Sequence, residues 1–319
     1  MKEIKEVLVV GAGTMGHGIA QSFAMNELPV SLADVNEELL RRAKNWIADN
    51  LNTMAELGEI GRDRIPPTLS RIQFTTALRE AATKADFVLE AVNENLDLKK
   101  RLFQQFGQWT RPDAILATNS SSFDINDLSA VTDRPERIIG AHWFHPAHIT
   151  PCVEIIPSDL TSQETIDVAS KLMRRIGKAP TLCKSAPGFV ANRIQFAMAA
   201  EALALIEEGL ATPEEVDRII ESSIGFRLGA FGPIRIMDQA GLDTYDSVYK
   251  YLYGKLKREQ FKPPHILKKL LEEGRLGLKS QHGFYEYKQE TGETMKRERD
   301  RRLFARLRLF REEHRDEKT

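Results

Sequence analysis

The fold class this 319-residue chain predicts is a doubly wound α/β sheet domain followed by an all-α C-terminal domain. Three observations predict it. Short apolar, β-branched runs alternate with longer helical patterns through the first half, as in a parallel sheet covered on both faces. The first of these runs, Glu6-Val7-Leu8-Val9-Val10, leads directly into Gly11-Ala12-Gly13-Thr14-Met15-Gly16. From Ser185-Ala186-Pro187-Gly188 onward the strand signals give way to long helices. The expected boundary therefore divides residues 1–185, a Rossmann-type domain, from residues 186–319, a helical domain.

Taken in order, the first strand enters a turn built to grip a phosphate. Gly11 permits the tight turn and Gly13 lets the backbone approach a pyrophosphate. Gly16 lets the next helix lie close to the strand with its N-terminal amides toward the anion. A G-x-G-x-x-G match carries weight only in context, and the context is present: an apolar run before it, the helix-like Gly18–Ala24 after it, and Asp34 ending a second strand, Pro29–Asp34. A carboxylate there accepts hydrogen bonds from the adenosine ribose hydroxyls and repels a 2′-phosphate, which favours NAD over NADP. Thr14 and Met15 fill the turn.

A long helix is expected over about 36–57, then a break at Gly58 and Pro66-Pro67 before a strand near Ile72–Phe74. Four further strands follow, at 85–92, 114–119, 137–142 and 152–156. Polar residues gather where these strands end, and in open α/β sheets ligands bind beyond the carboxyl ends of strands. In the second domain, the first helix is apolar nearly all round at Ile194, Phe196, Ala197, Ala200, Leu203, Ala204 and Ile206, which predicts burial between domains. Gly209 stops it, and Thr212-Pro213-Glu214-Glu215 opens the next helix with a capping box. The tail from Lys296 to Thr319 mixes both charges with Leu303, Leu307 and Phe310 at helical spacing. It reads as one amphipathic helix packing on its own domain or a partner subunit, because its acids argue against an anionic membrane.

Composition narrows the function classes. With 45 Lys and Arg against 46 Asp and Glu, the net charge of −1 offers no general attraction for nucleic acid. Cys152 and Cys183 are the only cysteines, which leaves no disulfide framework and points to a reducing cytoplasm. The N-terminus enters a strand almost at once without a signal-peptide pattern, and no apolar run is long enough to span a membrane.

Oxidation of an alcohol requires removal of the hydroxyl proton as hydride leaves carbon, so a base of near-neutral pKa is needed. Histidine suits that demand. His142 ends an expected strand, and Glu154 on the next strand could fix its tautomer and stabilise the imidazolium. Asn119-Ser120-Ser121-Ser122 offers polar groups at the same sheet edge, and Asn192 is a polar group on an apolar helix that needs a partner. Each also has a structural reading as scaffold, turn or cap. His142, His145 and His148 form an H-x-x-H-x-x-H series, but Pro146 disfavours a helix and no further ligand stands at a suitable spacing. No metal is expected.

These residues in this order, together with Glu90-Ala91-Val92-Asn93-Glu94, Pro187-Gly188-Phe189-Val190-Ala191-Asn192-Arg193 and the late Gly283-Phe284-Tyr285-Glu286-Tyr287, resemble the L-3-hydroxyacyl-CoA dehydrogenase family over about 5–287. The resemblance implies His142 as general base, Glu154 as its orienting carboxylate, and Ser121 and Asn192 as groups holding the reacting oxygen and substrate carbonyl. It implies NAD contacts from Gly11, Gly13, Thr14, Met15, Gly16, Asp34, Glu94, Lys99 and Asn119, and it implies a homodimer.

Departures bear on the substrate. Where the family motif reads Phe-Phe-Asn-Pro, this chain has Trp143-Phe144-His145-Pro146. The helical run with which CoA-ester enzymes meet the CoA phosphates is here Asp49–Glu56, without a basic side chain, although Arg42, Lys44, Arg62 or Arg64 could substitute from nearby. The run Gly225–Pro233 resembles the branch with L-gulonate 3-dehydrogenase, lambda-crystallin and carnitine dehydrogenase. The expected reaction is oxidation of a short (S)-3-hydroxyacyl-CoA. The alternatives are a free 3-hydroxy acid as substrate, or a non-catalytic NAD-binding, crystallin-like protein.

Overall fold

A computed structural model describes residues 3–287 and 292–313. The chain forms two compact units, Met1–Met198 and Ala199–Thr319. The first is built on eight strands: β1 (Val7–Val10), β2 (Val30–Ala33), β3 (Ile72–Thr75), β4 (Phe87–Glu90), β5 (Ile115–Thr118), β6 (Ile138–Trp143), β7 (Cys152–Pro157) and β8 (Ala179–Leu182). Helices α1 (Gly16–Met25), α2 (Glu37–Glu56), α3 (Ile65–Ser70), α4 (Leu78–Lys84), α5 (Leu96–Trp109), α6 (Ile125–Ser129) and α7 (Gln163–Arg175) connect them. Helix α8 (Ala191–Glu207) runs from this unit into the second. There follow α9 (Pro213–Ile220), α10 (Phe226–Leu228), α11 (Pro233–Ala240), α12 (Leu242–Leu256), α13 (His265–Glu272) and α14 (Gly292–Glu313).

The sheet order is β3-β2-β1-β4-β5-β6-β7-β8, parallel throughout except for the antiparallel pair β6 and β7. The order reverses between β1 and β4, so their carboxyl ends diverge into the crevice where such sheets bind nucleotides. Both faces are covered. Val7 and Val9, with Phe87 and Leu89, pack toward α1, α2 and α7, whereas Leu8, Val10 and Val88 meet α4, α5 and α6. Burial on both sides explains why β1, β4 and β5 are apolar without alternation.

The expected 36–57 helix is present as α2, with the Asn36 side chain accepting the Glu38 and Leu39 amides as its cap. Pro66-Pro67 does not break the chain as expected. The two prolines lie in the first turn of α3, where a missing amide hydrogen costs nothing. Strand β8 was not expected from the sequence; it is mostly exposed and contains Pro180, so it lacks the apolar run that marks the other strands.

In the second unit the described elements are helical, apart from isolated bridges at Gly277, His282 and Glu286. Gly209 follows α8 with φ of 69°, and Thr212 and Glu215 form the expected reciprocal cap of α9. Buried Asp238 accepts the Phe284 and Tyr285 amides and the Tyr287 hydroxyl at 2.9–3.0 Å, which ties the Gly283–Tyr287 run to α11. In the single chain no residue of α8 is buried, and Ile194, Phe196 and Leu203 are 55%, 68% and 62% exposed. The tail expected as a helix is α14 as far as Glu313; residues 314–319 lie outside the described ones. Its stripe of Leu303, Leu307 and Phe310 is half-buried, with Phe310 edge-on to Phe226 at 6.2 Å. No described helix is long and apolar enough to cross a membrane.

Candidate active site

The turn after β1 has the shape a dinucleotide requires. Gly11 takes φ of 102°, and a β-carbon there would strike the Ala91 carbonyl of the neighbouring strand end. A β-carbon on Gly16 would collide with the Gly11 carbonyl, so only glycine brings α1 this close to the turn. Beside Gly13, by contrast, the space is open within 4 Å. That combination, two crowded glycines framing one open one, fits a pyrophosphate lying on the backbone at the α1 N-terminus. Asp34 stands just past β2, with one carboxylate oxygen accepting the Ala12 amide at 2.8 Å and the other the Asn36 amide at 3.0 Å. It is thereby aimed at the turn. Met15 packs against the core behind it, and Thr14 lines a cleft of about 260 Å3 with His17, Trp46, Asp49 and Asn50.

Beyond β4 and β5 a second cluster forms. Lys99 on α5 is 1% exposed, and its ammonium lies between Glu90 at 2.7 Å and Glu94 at 3.2 Å. Glu90, fully buried at the end of β4, also accepts the Thr118 hydroxyl and the Val92 amide. Glu94 receives the Ser121 amide at 3.0 Å and the Ser120 and Ser122 hydroxyls. Burial pushes the Glu94 carboxyl up, but Ser120, the Lys99 charge and the Ser121 amide outweigh it and hold the group below the usual range. Glu94 and Lys99, expected as cofactor contacts, are therefore brought together with the serine run. Asn119 caps the edge: its side-chain oxygen accepts the Trp143 amide at 2.8 Å.

His142 and Glu154 face each other across the antiparallel pair, in register. The His142 Nδ1 lies 2.8 Å from a Glu154 oxygen, and each side chain is 5% exposed. The other Glu154 oxygen accepts the Val190 and Ala191 amides at 3.2 and 3.0 Å, at the start of α8. Burial pushes the Glu154 carboxyl up, yet His142 and these two amides more than compensate and hold it below the ordinary 4.5. The carboxylate thus fixes Nδ1 and leaves Nε2 as the ring's other nitrogen for chemistry. Phe144 and Phe189 pack against the imidazole at 4.5 and 5.7 Å. Asn192 donates its side-chain amide to the Ser121 carbonyl at 3.1 Å, which joins α8 to the serine loop.

The geometry therefore brings His142, Glu154, Asn119, Ser121 and Asn192 together at the carboxyl edge of β5 and β6, and sets Gly11–Gly16 and Asp34 at the edge of β1 and β2. Glu90, Thr118 and Ser120 carry more of the network than sequence reasoning assigned them. The signal available was a buried acid ending an apolar strand, which demands a cation such as Lys99. Among the described residues no group of three or more His, Cys, Asp or Glu is arranged to hold a metal, and His142, His145 and His148 do not converge on one.

Two family descriptions match the chain: the 3-hydroxyacyl-CoA dehydrogenase NAD binding domain over residues 6–186, and the 3-hydroxyacyl-CoA dehydrogenase C-terminal domain over residues 188–287. A probable 3-hydroxybutyryl-CoA dehydrogenase of Deinococcus radiodurans is 38% identical over 279 residues, covering 88% of this chain and 99% of that protein. The 5-formyl-3-hydroxy-2-methylpyridine 4-carboxylate 5-dehydrogenase of Mesorhizobium japonicum is 32% identical over 309 residues, covering 96% and 98%. The crystal structure of a 3-hydroxyacyl-CoA dehydrogenase from Archaeoglobus fulgidus superposes with a TM-score of 0.79 at 35% identity, covering 96% and 99%. A dinucleotide turn on the expected strand and a match across nearly the whole length lead to one conclusion: the chain is an NAD-dependent oxidoreductase and belongs to the 3-hydroxyacyl-CoA dehydrogenase family.

Proposed function

We propose that the protein oxidises a short (S)-3-hydroxyacyl-CoA to the 3-oxoacyl-CoA, with His142 as general base. The single observation that carries this reading is the buried His142–Glu154 pair at 2.8 Å, with the second carboxylate oxygen held by two amides. NAD, held by Gly11, Gly13, Thr14, Met15, Gly16 and Asp34, supplies the hydride acceptor when bound. Nε2 of His142 takes the 3-hydroxyl proton, and the positive charge formed on the ring is balanced by Glu154. Ser121 and Asn192, joined at 3.1 Å, supply polar groups for the reacting oxygen and the substrate carbonyl. Lys99 serves by holding Glu94 beside the serine loop. Replacing His142 with Ala is expected to lower kcat on 3-hydroxybutyryl-CoA by about a hundredfold or more. A rate within a few-fold of wild type would remove His142 from the base role.

A second reading, oxidation of a free acid, is favoured by the cleft beside Thr14. Its α2 wall presents Trp46, Asp49 and Asn50 and no lysine to meet a CoA phosphate, and the nearby Arg42 guanidinium lies over the Trp46 ring at 4.8 Å. The relative named for a pyridine carboxylate matches this chain over 309 residues. NADH formation from 3-hydroxybutyryl-CoA, compared with free 3-hydroxybutyrate, gulonate, carnitine and pyridine carboxylates, separates the two. Saturable NADH binding without turnover on any of them would place the substrate outside both classes.

A further inference from the structure

Lys178 is a buried cation without an acid. It follows α7, is 9% exposed, and among the described residues has no carboxylate partner within ion-pair distance. Its ammonium instead donates to the Ala147 carbonyl at 2.6 Å and the Thr150 carbonyl at 2.8 Å, and lies 5.1 Å from the centre of the Trp143 ring. Two carbonyls and an aromatic face are modest compensation for desolvating a charge. The titratable groups that bear on this corner are His148 on the same loop, and beyond it His145 and, from α1, His17; all are histidines.

What Lys178 holds is the segment directly after His142. Trp143, the next residue, is fixed by Asn119 through its amide and packs on Phe23 of α1 at 5.7 Å. Ala147 stands against Gly18 of the same helix, where a β-carbon would come within 3.3 Å of it. The Ser22 hydroxyl of α1 reaches the same Ala147 carbonyl at 3.5 Å. The ammonium thus joins the end of β6 to the loop beyond it, and it shares the Ala147 carbonyl with Ser22 of the helix that follows the dinucleotide turn.

We propose that Lys178 is a positioning residue for His142: its charge clamps residues 143–150 against α1 and so fixes the imidazole relative to the dinucleotide turn. The inference rests on the reading of His142 as the base. Burial pushes the Lys178 ammonium from 10.5 down to about 8. Below that pH the clamp is cationic, and above it the amine is neutral and the charge-assisted bonds weaken. The sign for stability is opposite. Between about 8 and 10.5 the unfolded chain binds more protons than the folded one, so the cation costs stability at neutral pH and the cost is relieved as pH rises.

The test uses the full chain labelled with 15N-histidine. In wild type the His142 imidazole signal should step near pH 8, and turnover should fall over the same range. Lys178→Met should abolish both steps and lower kcat by about tenfold or more with little change in KM. Lys178→Arg keeps the charge and should carry activity through the alkaline range. Should Lys178→Met fail to fold, wild type and Lys178→Arg still decide the matter. A His142 signal flat through pH 8 in wild type, or one that steps alike in every folded variant, overturns the proposal. A response that follows Lys178 in protein inactive on 3-hydroxyacyl-CoA defeats only the CoA-ester reading and leaves the positioning role standing.

Discussion

Three donors converge on the Glu154 carboxylate, from His142, Val190 and Ala191, in a site where burial alone would favour the neutral acid. Its folded pKa is depressed, so the stability it contributes is present above the unfolded value of 4.5 and is lost as pH falls through the folded value. Glu154→Gln should therefore cost on the order of 1–3 kcal/mol at neutral pH. The gap to wild type, measured by urea unfolding, should close in acid. A gap independent of pH would mean the carboxylate charge does not support the fold. His142 was legible in sequence as a polar residue ending an apolar strand, and Glu154 as an acid on the next strand. Their exact opposition was not, because it depends on the register of β6 against β7, which local preferences leave open.

Among the elements, α8 carries the plainest mismatch between composition and surroundings. Its apolar periphery reads as a buried helix, yet Ile194, Phe196 and Leu203 face solvent in the single chain. An apolar helix left this open calls for a cover. We propose a second copy of the chain, as family resemblance implies. Phe196→Glu should then halve the mass measured by light scattering; an unchanged dimer would place the assembly elsewhere, and a monomeric wild type would dismiss it. Other elements followed from sequence for local reasons: Asn36 caps α2 and Thr212 with Glu215 caps α9, since such bonds span only a few residues. Strand β8 escaped because its place at the sheet edge is set by pairing with β7 and not by its own composition.

At the scale of the whole molecule, α14 lies beyond residue 287, where the family match ends, and packs within the second unit through Phe310 on Phe226 and Arg302 over the Phe231 ring at 5.3 Å. Deleting residues 292–319 should lower the melting temperature, while NADH affinity, which we propose belongs to the Gly11–Gly16 turn and Asp34, should hold within about twofold. Loss of NADH binding would show that the tail supports the sheet unit as well.

The sequence by itself determined seven of the eight strands and the dinucleotide turn, the helical second half, the α9 cap and the residue types of the site. Each follows from short-range rules, namely glycine where a β-carbon would clash, apolar runs where both faces are buried, and polar residues at strand ends. Only the tertiary structure decided the Glu90–Lys99–Glu94 bridge, the carboxylate cap from Val190 and Ala191, and the Lys178 clamp. The last two join residues far apart in the chain, and in all three the partners are selected by distance in space and by the cost of leaving a buried charge unmet.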